Sequence, residues 1–418
     1  MLTGAEVAVP SSKESSWIVI GLQVYDITAF LSQHPGGANI LLRNAGPLDP
    51  STAKDLALAK STSTQSVPTG EDDAPSHLSL YVRVSDFEAP EKAILSNKSW
   101  VYASATANSG QSMRRNLDDW SLISFCPRVL RDVETIDMRR SILGHASQYP
   151  FFVSSMGTLG SAHSSAEFGL VKGIAPKGVH TVINTASSKP AKEIMQTLVD
   201  QQKGRSGAAP AQLYFQLYIP TDRNRAKALI KKVKRAGYKG LWITVDAPVL
   251  GKRTADRYLQ AQEALELGVE EETKPLAKEG GGENSFAPAF GGVLLSNHGG
   301  RQSHGSPSSF LPLLESRTYY PEVLNSIKVF VDGGLRDGAD VLKALCLGAT
   351  AVGIGRPILY ALAAYGAPGV EKYLDILAEE LSIGMRLLGI TSLDQASPDL
   401  VNASRLMSDI WRPELSRL

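Results

Sequence analysis

Between about residues 150 and 355, short apolar runs alternate with longer stretches that have helical spacing of apolar and polar positions. Runs of this length, rich in Val, Ile, Leu and Phe, predict β-strands. Seven are present, at Phe151–Ser155, Thr181–Thr185, Leu213–Tyr218, Gly240–Val245, Val293–Ser296, Lys328–Val331 and Ala351–Ile354. The clearest helix is Thr221–Ala236, and Gly237 predicts its end. Alternating strands and helices predict right-handed βαβ units in a parallel sheet, and this many in succession predict an α/β TIM barrel.

A complete barrel of this kind has eight strands, and one is missing from the pattern. The interval between Leu250 and Gly291 contains a charged helical segment and the run Gly280-Gly281-Gly282, but no Val/Ile-rich stretch. We therefore predict a TIM (β/α)8-type barrel that lacks about one βα unit, at the position of the fifth strand.

A smaller unit precedes the barrel. Trp17–Ile20 and Gln23–Ile27 predict two short strands, followed by His34-Pro35-Gly36-Gly37 and a short helix. Residues 47–79 are rich in Pro, Ser and Thr and have little apolar periodicity, which is typical of a linker. The predicted organisation is an incomplete α+β module at 1–46, a linker at 47–79 and the barrel at 80–418.

Composition narrows the class of protein. Apolar residues make up 43% of the chain and charged residues 20%, as in ordinary globular proteins, and the net charge of +1 gives no reason to expect a nucleic-acid partner. No apolar run approaches the roughly 18 residues of a membrane span, and no targeting peptide is visible. Cys126 and Cys346 are the only cysteines and lie outside any CxxC, so we expect neither a disulfide framework nor a zinc site. These features favour a reducing compartment such as the cytoplasm.

The run from Ser296 to Gln302 is the first candidate for chemistry, because it follows a predicted strand directly. In parallel α/β domains the carboxyl ends of the strands are where ligands bind. There His298 can serve as a general base near neutral pH, and Arg301 can bind a carboxylate through two hydrogen bonds. A histidine and an arginine alone are more often ordinary loop residues, so the interpretation depends on further motifs.

Two further predicted strands end in side chains that could contact a ligand or orient the histidine. Gln216 and Tyr218 lie two residues apart, so both side chains point to the same side of their strand and into the barrel mouth, although a buried strand can also end in two polar residues. Asp246 ends the next strand, where it can orient an imidazolium, and Arg253 is a second candidate for binding a carboxylate.

The last two strands each end in glycine and arginine. Asp332-Gly333-Gly334-Leu335-Arg336 follows one strand, and Gly355-Arg356 follows the other. Backbone N–H groups exposed by glycine, beside a guanidinium, form a phosphate cradle, and in barrels that cradle comes after strands seven and eight. Two such turns on consecutive strands are much stronger evidence than one.

The segment Val24–Leu31 with His34-Pro35-Gly36-Gly37 resembles the haem-binding core of the cytochrome b5 family. In that family this histidine, here His34, is one axial iron ligand, and a second histidine follows some two dozen residues later. The next histidine of this chain is His77. A low-spin haem needs ligands on both faces, so we predict that the module is incomplete and binds haem poorly or not at all.

The barrel motifs resemble the FMN-dependent 2-hydroxy-acid dehydrogenase and oxidase family, and the preceding module points to its haem-linked L-lactate dehydrogenase branch. The resemblance implies that His298 removes the C2 proton of an L-2-hydroxy acid while Asp246 supports the charged imidazole. It implies that Arg301 and Arg253 hold the substrate carboxylate, with Tyr218 beside them. The implied FMN contacts are Ser154, Ser155, Met156 and Gly157 along the flavin, Gln216, Thr244 and Ser296 at its ring, and Asp332, Gly333, Gly334, Arg336, Gly355 and Arg356 at the phosphate.

Family membership also implies a cytochrome-type electron acceptor, frequent homo-oligomers and, by analogy, the mitochondrial intermembrane space. The chain departs from the family pattern at the fifth strand, where a lysine near the flavin is missing, at Met156, which replaces a usual threonine, and at Trp120, which we align with a tyrosine that bonds the substrate carboxylate. Two alternatives to an active enzyme follow: a non-catalytic descendant that binds flavin and haem weakly or not at all, and a sequence from which these segments have been omitted.

Overall fold

The computed structural model describes residues 11–12, 15–20, 23–26, 77–88, 92, 94–205, 207, 209–220, 222–246, 249–266 and 291–411. The chain divides into two compact units, Met1–Asp72 and Asp73–Leu418. The described part of the first unit is an antiparallel sheet of β1 (Ser11–Ser12), β2 (Ser15–Ile20) and β3 (Gln23–Asp26), in that order. Strands β2 and β3 correspond to the two predicted strands, whereas His34 lies outside the described residues.

The second unit is built on parallel strands. Its strands are β4 (Ser124–Phe125), β5 (Arg140–Ile142), β6 (His145–Ser147), β7 (Phe151–Val153), β8 (His180–Ile183), β9 (Leu213–Tyr218), β10 (Leu241–Thr244), β11 (Gly292–Leu295), β12 (Lys328–Asp332), β13 (Ala351–Ile354) and β14 (Val401–Asn402). Strands β7 to β13 form a seven-stranded parallel sheet in the order β10-β9-β8-β7-β13-β12-β11, and β5–β6 and β4–β14 form short antiparallel pairs. All seven predicted strands are confirmed.

The sheet curls as a TIM barrel does. Strand β13 pairs with β7, so the last strand is joined to the first, and every other neighbour follows chain order. Among the described strands the break lies between β10 and β11, which have no backbone pairing with each other. This break falls at the interval from which a strand was missing in the sequence, and it is compatible with the predicted absence of one βα unit.

Helices precede the parallel strands, alternate with them and follow the last one. They are α1 (Asn97–Ser104), α2 (Gln111–Ser121), α3 (Ala166–Ile174), α4 (Ala191–Gln202), α5 (Arg223–Ala236), α6 (Thr254–Glu266), α7 (Leu311–Tyr319), α8 (Pro321–Ser326), α9 (Gly338–Cys346) and α10 (Arg356–Leu388). The predicted helix α5 is confirmed: Asp222 caps its first turn and Gly237, with φ of 102°, ends it. No helix in the described part of the chain is long and apolar enough to cross a membrane.

The inner face of the sheet has two layers. The layer nearer the amino ends of the strands is an apolar plug with one residue from each strand. Its residues are Phe152, Val182, Tyr214, Trp242, Leu294, Phe330 and Ala351, and they pack with Ile142 and Leu143. Alternate residues of a strand share a face, so the positions two residues further on form a second layer above the plug. That layer consists of Ser154, Asn184, Gln216, Thr244, Ser296, Asp332 and Gly353. The sequence therefore places polar or small residues across the inner face at the carboxyl ends of the strands.

His180, at the start of β8, is a titratable group in the interior. It is 0% exposed, its Nδ1 accepts a hydrogen bond of 3.2 Å from the Gln212 amide, and its Nε2 has no hydrogen-bond partner among the described residues. Burial is the main cause that lowers the pKa of His180 to about 4. The side chain is therefore neutral in the folded protein at pH 7.

This burial predicts a specific pH dependence of stability. An unfolded histidine has a pKa near 6.5, so between about pH 6.5 and pH 4 the unfolded chain binds more protons than the folded one. Folding stability should fall as pH drops through that window. His180→Gln, whose amide can accept the same hydrogen bond but does not titrate, should lose less stability than the wild type between pH 7 and pH 5 in urea unfolding. The exposed His304→Gln serves as control, and equal pH sensitivity of the wild type and His180→Gln would contradict the prediction.

Candidate active site

The loop after β11 has a strained backbone that presents His298. His298, Gly299 and Gly300 have φ values of 58°, 63° and 75°, three consecutive residues in the left-handed region. A side chain with a Cβ rarely adopts this conformation unless neighbouring contacts hold it there. Two local contacts contribute: the Gly300 amide donates to Asn297 Oδ1 at 3.0 Å, and the His298 amide donates to Ser296 Oγ at 3.1 Å.

His298 pairs with the aspartate at the end of the opposite edge strand. Its Nδ1 lies 2.9 Å from Asp246 Oδ2, and the two side chains are 30% and 26% exposed. A carboxylate can only accept here, so Nδ1 carries the proton of this hydrogen bond, and in the corresponding neutral tautomer the lone pair is on Nε2. The pair bridges β10 and β11, the two strands that lack backbone pairing with each other. An imidazole oriented in this way, and still open to solvent, is suited to accept a proton.

Two guanidinium groups lie together on one tyrosine ring. Arg301 Nη1 donates to the carbonyl oxygens of Ala103 at 3.0 Å and Ala105 at 3.1 Å, where α1 ends. The Tyr102 ring centroid is 5.1 Å from the Arg301 guanidinium carbon and 5.9 Å from that of Arg253. The Nε of Arg253 is buried and has no hydrogen-bond partner among the described residues.

Several positive charges lie close together around Arg301. Burial first, and then the neighbouring charges of Arg253 and Arg356, lower the pKa of Arg301 to about 10, so the group remains cationic at neutral pH. Buried cations that lack a protein anion are costly unless a ligand supplies the opposite charge.

Tyr102 is a site residue that the sequence interpretation missed, and the alignment of Trp120 with the carboxylate-binding tyrosine is wrong. Trp120 is 1% exposed, stacks on Phe310 with ring centroids 4.1 Å apart, and donates its Nε1 hydrogen to the Gly333 carbonyl at 3.2 Å. It is a core residue, and the aromatic side chain that lies over the arginines is Tyr102. The signal that points to Tyr102 is its place two residues before the end of α1, beside the carbonyls of Ala103 and Ala105 that bind Arg301.

The polar layer of the inner face is tied together by hydrogen bonds. Gln216 Nε2 donates to Thr244 Oγ1 at 2.9 Å, and the Thr185 amide donates to Gln216 Oε1 at 3.2 Å. Asn184 Nδ2 donates to Ser155 Oγ at 2.9 Å. The polar strand ends therefore form a continuous lining rather than separate side chains.

The other predicted contacts along this lining have the following environments. Tyr218 is half-buried at the end of β9, and Met156 packs partly buried against the core. Gly157 lies beside Asn184, because a Cβ added there would be 3.5 Å from Asn184 Oδ1. The structure thus brings these residues to the same rim as His298, with Met156 directed more toward the core than its neighbours.

Asp332 is a buried carboxylate at the end of β12. Its Oδ2 accepts a hydrogen bond from Ser154 Oγ at 3.1 Å, and its Oδ1 has no hydrogen-bond partner among the described residues. Burial raises its pKa, while hydrogen bonds from Ser296 and Ser154 and the proximity of His298 oppose that rise. These influences place Asp332 close to the His298 site.

The glycine turn after β12 makes a close backbone contact with α2. Gly333 and Gly334 have φ values of 96° and 80°, and a Cβ on Gly334 would overlap the carbonyl oxygen of Asn116. Only glycine satisfies both the backbone conformation and this approach. The path of the turn therefore depends on glycine at position 334.

The two arginines of the predicted cradle have different partners. Arg336 Nε forms an ion pair of 2.8 Å with Glu88 Oε1. Arg356 Nη2 donates to the Gly299 carbonyl at 2.6 Å and approaches Met113 Sδ at 2.9 Å, whereas its Nη1 is buried without a hydrogen-bond partner among the described residues. Burial lowers the pKa of Arg356. Since Gly299 adjoins His298, Arg356 links the glycine-arginine turns to the histidine loop.

Helix α2 supplies a buried polar stripe that the sequence interpretation also missed. Its buried residues are Ser112, Asn116, Asp119 and Trp120. They recur at helical spacing, but three are polar, so a search for apolar periodicity overlooks them. Ser308 Oγ donates to Asp119 Oδ2 at 2.5 Å, and Asn116 pairs with Asn297. Helix α2 thus supports the loops that follow β11 and β12.

The tight contact at Gly334 can be separated from its backbone strain by substitution. Gly334→Ala combines a left-handed φ with the overlap at Asn116, whereas Gly305, with φ of 78°, has its nearest neighbouring atom 3.8 Å from an added Cβ. Gly305→Ala should cost only the backbone strain, roughly 1–2 kcal/mol of folding stability. Gly334→Ala should cost clearly more in denaturant unfolding. Equal losses for the two variants would show that the close approach is not a constraint.

The chain is similar in sequence to known protein families and to individual relatives. The family described as FMN-dependent dehydrogenase matches residues 91–289 and 283–403, and the cytochrome b5-like haem/steroid binding domain matches residues 3–53. L-lactate dehydrogenase (cytochrome) of Saccharomyces cerevisiae is 32% identical, over 97% of this chain and 80% of the relative. 2-Hydroxyacid oxidase 2 of Mus musculus is 31% identical, over 77% of this chain and 99% of the relative.

Solved structures are similar as well. The recombinant flavin-binding domain of baker's yeast flavocytochrome b2 superposes with a TM-score of 0.70 at 31% identity, covering 82% of this chain and 92% of that one. A mandelate oxidase variant bound to (S)-mandelic acid gives a TM-score of 0.63 at 27% identity, covering 77% of this chain and 98% of that one.

Proposed function

The chain belongs to the FMN-dependent dehydrogenase family, and we propose that it oxidises an L-2-hydroxy acid to the 2-oxo acid with FMN as electron acceptor. The observation that carries the proposal is the oriented His298–Asp246 pair near the guanidinium groups of Arg301 and Arg253, which lie together on the Tyr102 ring. A proton acceptor beside a carboxylate anchor is what removal of a proton from a 2-hydroxy acid requires. An L-lactate-like substrate fits the relatives, which include lactate, glycolate and other 2-hydroxy-acid enzymes.

Arg301 and Arg253 are the proposed anchor of the substrate carboxylate. Two backbone carbonyls fix one nitrogen of Arg301, so the remaining donors of its planar fork keep a defined direction. The Nε of Arg253, which has no hydrogen-bond partner in the described part of the chain, supplies a further donor. Tyr102 lies over both groups and holds them together, and Tyr218 is the proposed neighbour of the substrate on β9.

His298 is the proposed base. Its Nε2 takes the proton that the substrate loses at C2, and the resulting imidazolium is stabilised by Asp246 through Nδ1. Asp246 keeps the same hydrogen bond before and after proton transfer, so little reorganisation is needed. The polar lining beside the pair limits where the substrate can lie.

The residues present fit FMN. The buried Nη1 of Arg356 has no protein acceptor among the described residues, and the direction of a Cβ on Gly355 is open, so a phosphate has both a donor and room. The residues that would hold the phosphate and ribityl chain are Asp332, Gly333, Gly334, Arg336, Gly355 and Arg356. The residues that would contact the ring are Ser154, Ser155, Met156, Gly157, Gln216, Thr244 and Ser296. Bound FMN would supply the acceptor for the two electrons that the substrate loses.

The amino-terminal unit suggests a second redox partner. Its cytochrome b5-like match includes His34, and a cytochrome-type electron acceptor is the corresponding proposal. We propose that haem binding by this unit is weak, because the next histidine in the sequence is His77. The proposed organisation remains a module at 1–46, a linker at 47–79 and the catalytic unit at 80–418, with a homo-oligomer as the proposed assembly.

The function is tested by flavin spectroscopy. Protein incubated with FMN and freed of excess should be yellow, and L-lactate should bleach its flavin absorbance. His298→Gln should lower kcat by about 10²–10⁴-fold, the usual contribution of a general base, while leaving the yellow colour. His304→Gln, an exposed histidine six residues away, should behave as wild type. Colourless wild-type protein, or colour that no 2-hydroxy acid bleaches, would favour the non-catalytic alternative.

The carboxylate anchor is tested separately. Arg301→Lys keeps the charge but loses the planar fork and the stacking on Tyr102, so KM for L-lactate should rise by about 10- to 100-fold. The exposed Arg257→Lys on α6 is the matched control and should leave KM unchanged. Unchanged KM in Arg301→Lys would mean that the carboxylate is held elsewhere.

A further inference from the structure

Asn116, in the middle of α2, is fully buried and pairs with the amide that precedes His298. It is 0% exposed. Its Nδ2 donates to Asn297 Oδ1 at 2.8 Å, and Asn297 Nδ2 donates to Asn116 Oδ1 at 2.8 Å. A buried reciprocal amide pair of this kind leaves neither side chain free to rotate.

Two backbone amides fix the orientation of both side chains. The Ser309 amide donates to Asn116 Oδ1 at 3.1 Å, and the Gly300 amide donates to Asn297 Oδ1 at 3.0 Å. Backbone N–H groups only donate, so both side-chain oxygens are defined by them, and the NH₂ groups must face each other's oxygens. Asn297 Nδ2 also donates to the Pro307 carbonyl at 3.0 Å.

The same residue touches the glycine turn with its backbone. The carbonyl oxygen of Asn116 occupies the space that a Cβ on Gly334 would need. Ser309, whose amide binds the Asn116 side chain, donates its hydroxyl to the Asp332 carbonyl, at the start of that turn. One residue of α2 therefore contacts both the loop that carries His298 and the turn that follows β12.

We propose that Asn116 is a positioning residue that couples the histidine loop to the glycine turn, so that the base and the cofactor phosphate keep one relative placement. This inference rests on the proposed function. Its physical basis is the strained loop, three left-handed residues at the end of a strand that pairs with one other strand in the described part of the sheet. Such a conformation needs an external support, and the Asn116–Asn297 pair provides it.

Only an amide meets the requirements at position 116. The side chain must donate to Asn297 and accept from both Asn297 and Ser309, in a space without water access. Aspartate supplies acceptors only, and leucine, of similar size, supplies neither group and leaves buried donors unpaired.

The test compares Asn116→Leu with Ser112→Ala. Ser112 lies on the same buried face of α2, is 1% exposed, and donates to the Ser303 carbonyl rather than to Asn297. Three quantities are measured: the FMN dissociation constant of the apoprotein by flavin fluorescence, and kcat and KM for L-lactate. Asn116→Leu should weaken FMN binding by about 10-fold and lower kcat by about 10- to 100-fold, with KM nearly unchanged, because small displacements of a base are costly. Ser112→Ala should leave all three within about 3-fold.

A double-mutant cycle separates coupling from general damage. Asn297→Leu combined with Asn116→Leu should be no worse in FMN affinity than either single variant, because each already removes the pair. Additive losses would overturn the inference, as would a fall in kcat without any change in FMN binding. Loss of FMN binding or turnover in the wild type would instead refute the proposed function.

Asn116→Asp keeps the inference testable if the leucine variant does not fold. A protonated aspartic acid can donate to Asn297 Oδ1, whereas the carboxylate cannot. The ratio of FMN dissociation constants, Asn116→Asp over wild type, should therefore fall toward one as the pH is lowered from 8 to 5. A ratio that does not change with pH would overturn the assignment of a donor role to Asn116.

Discussion

The hydrogen bond between His298 Nδ1 and Asp246 Oδ2 joins the two strands that the sheet itself leaves unjoined. Among the described strands, β10 and β11 each have one backbone neighbour, and this 2.9 Å contact spans the space between their carboxyl ends. Both side chains are about a quarter to a third exposed, so the pair adds little to global stability. Its consequence is geometric: the direction of the imidazole depends on the relative position of two edge strands.

The other contacts that hold the site are made to the loop after β11, whose backbone is strained at His298. The loop at His298 is held by Asn116 from α2 and by Arg356 from the start of α10, both of which lie in the fully covered part of the unit. Asp332 and Arg356 carry opposite charges, and burial shifts the pKa of each toward its neutral form. Each also has a buried atom that finds no hydrogen-bond partner among the residues that the structure describes. Such groups persist in a folded protein when a ligand completes their hydrogen bonding, which is the role proposed here for FMN.

The fold and the site residues at the ends of strands could be predicted from the sequence for one physical reason. Each strand is an apolar run that ends abruptly in polar residues, so its limits and its catalytic end are visible together, as at Asp246 and His298. Tyr102 and Asn116 were not accessible in this way, because they come from helices before the barrel and meet the site through contacts almost 200 residues apart in sequence. Trp120 was misassigned for the same reason: neighbours along α2 differ in whether they face the core or the site.

The gap in the described sheet between β10 and β11 lies beside the proposed base and not beside the proposed phosphate contacts. The glycine-arginine turns follow β12 and β13, each paired on both sides, and the carbonyls that fix Arg301 belong to α1. The base and its aspartate, in contrast, follow the two unpaired edges, where Ile243 and Val293 are 39% and 40% exposed while Val331 on β12 is fully buried. The proposed phosphate contacts therefore follow strands that are paired on both sides, whereas the proposed base follows a strand at the break. Asn116 and Arg356 hold the histidine loop from the paired part of the unit, so the placement of the proposed base depends on the same residues that contact the glycine turn and the proposed phosphate site.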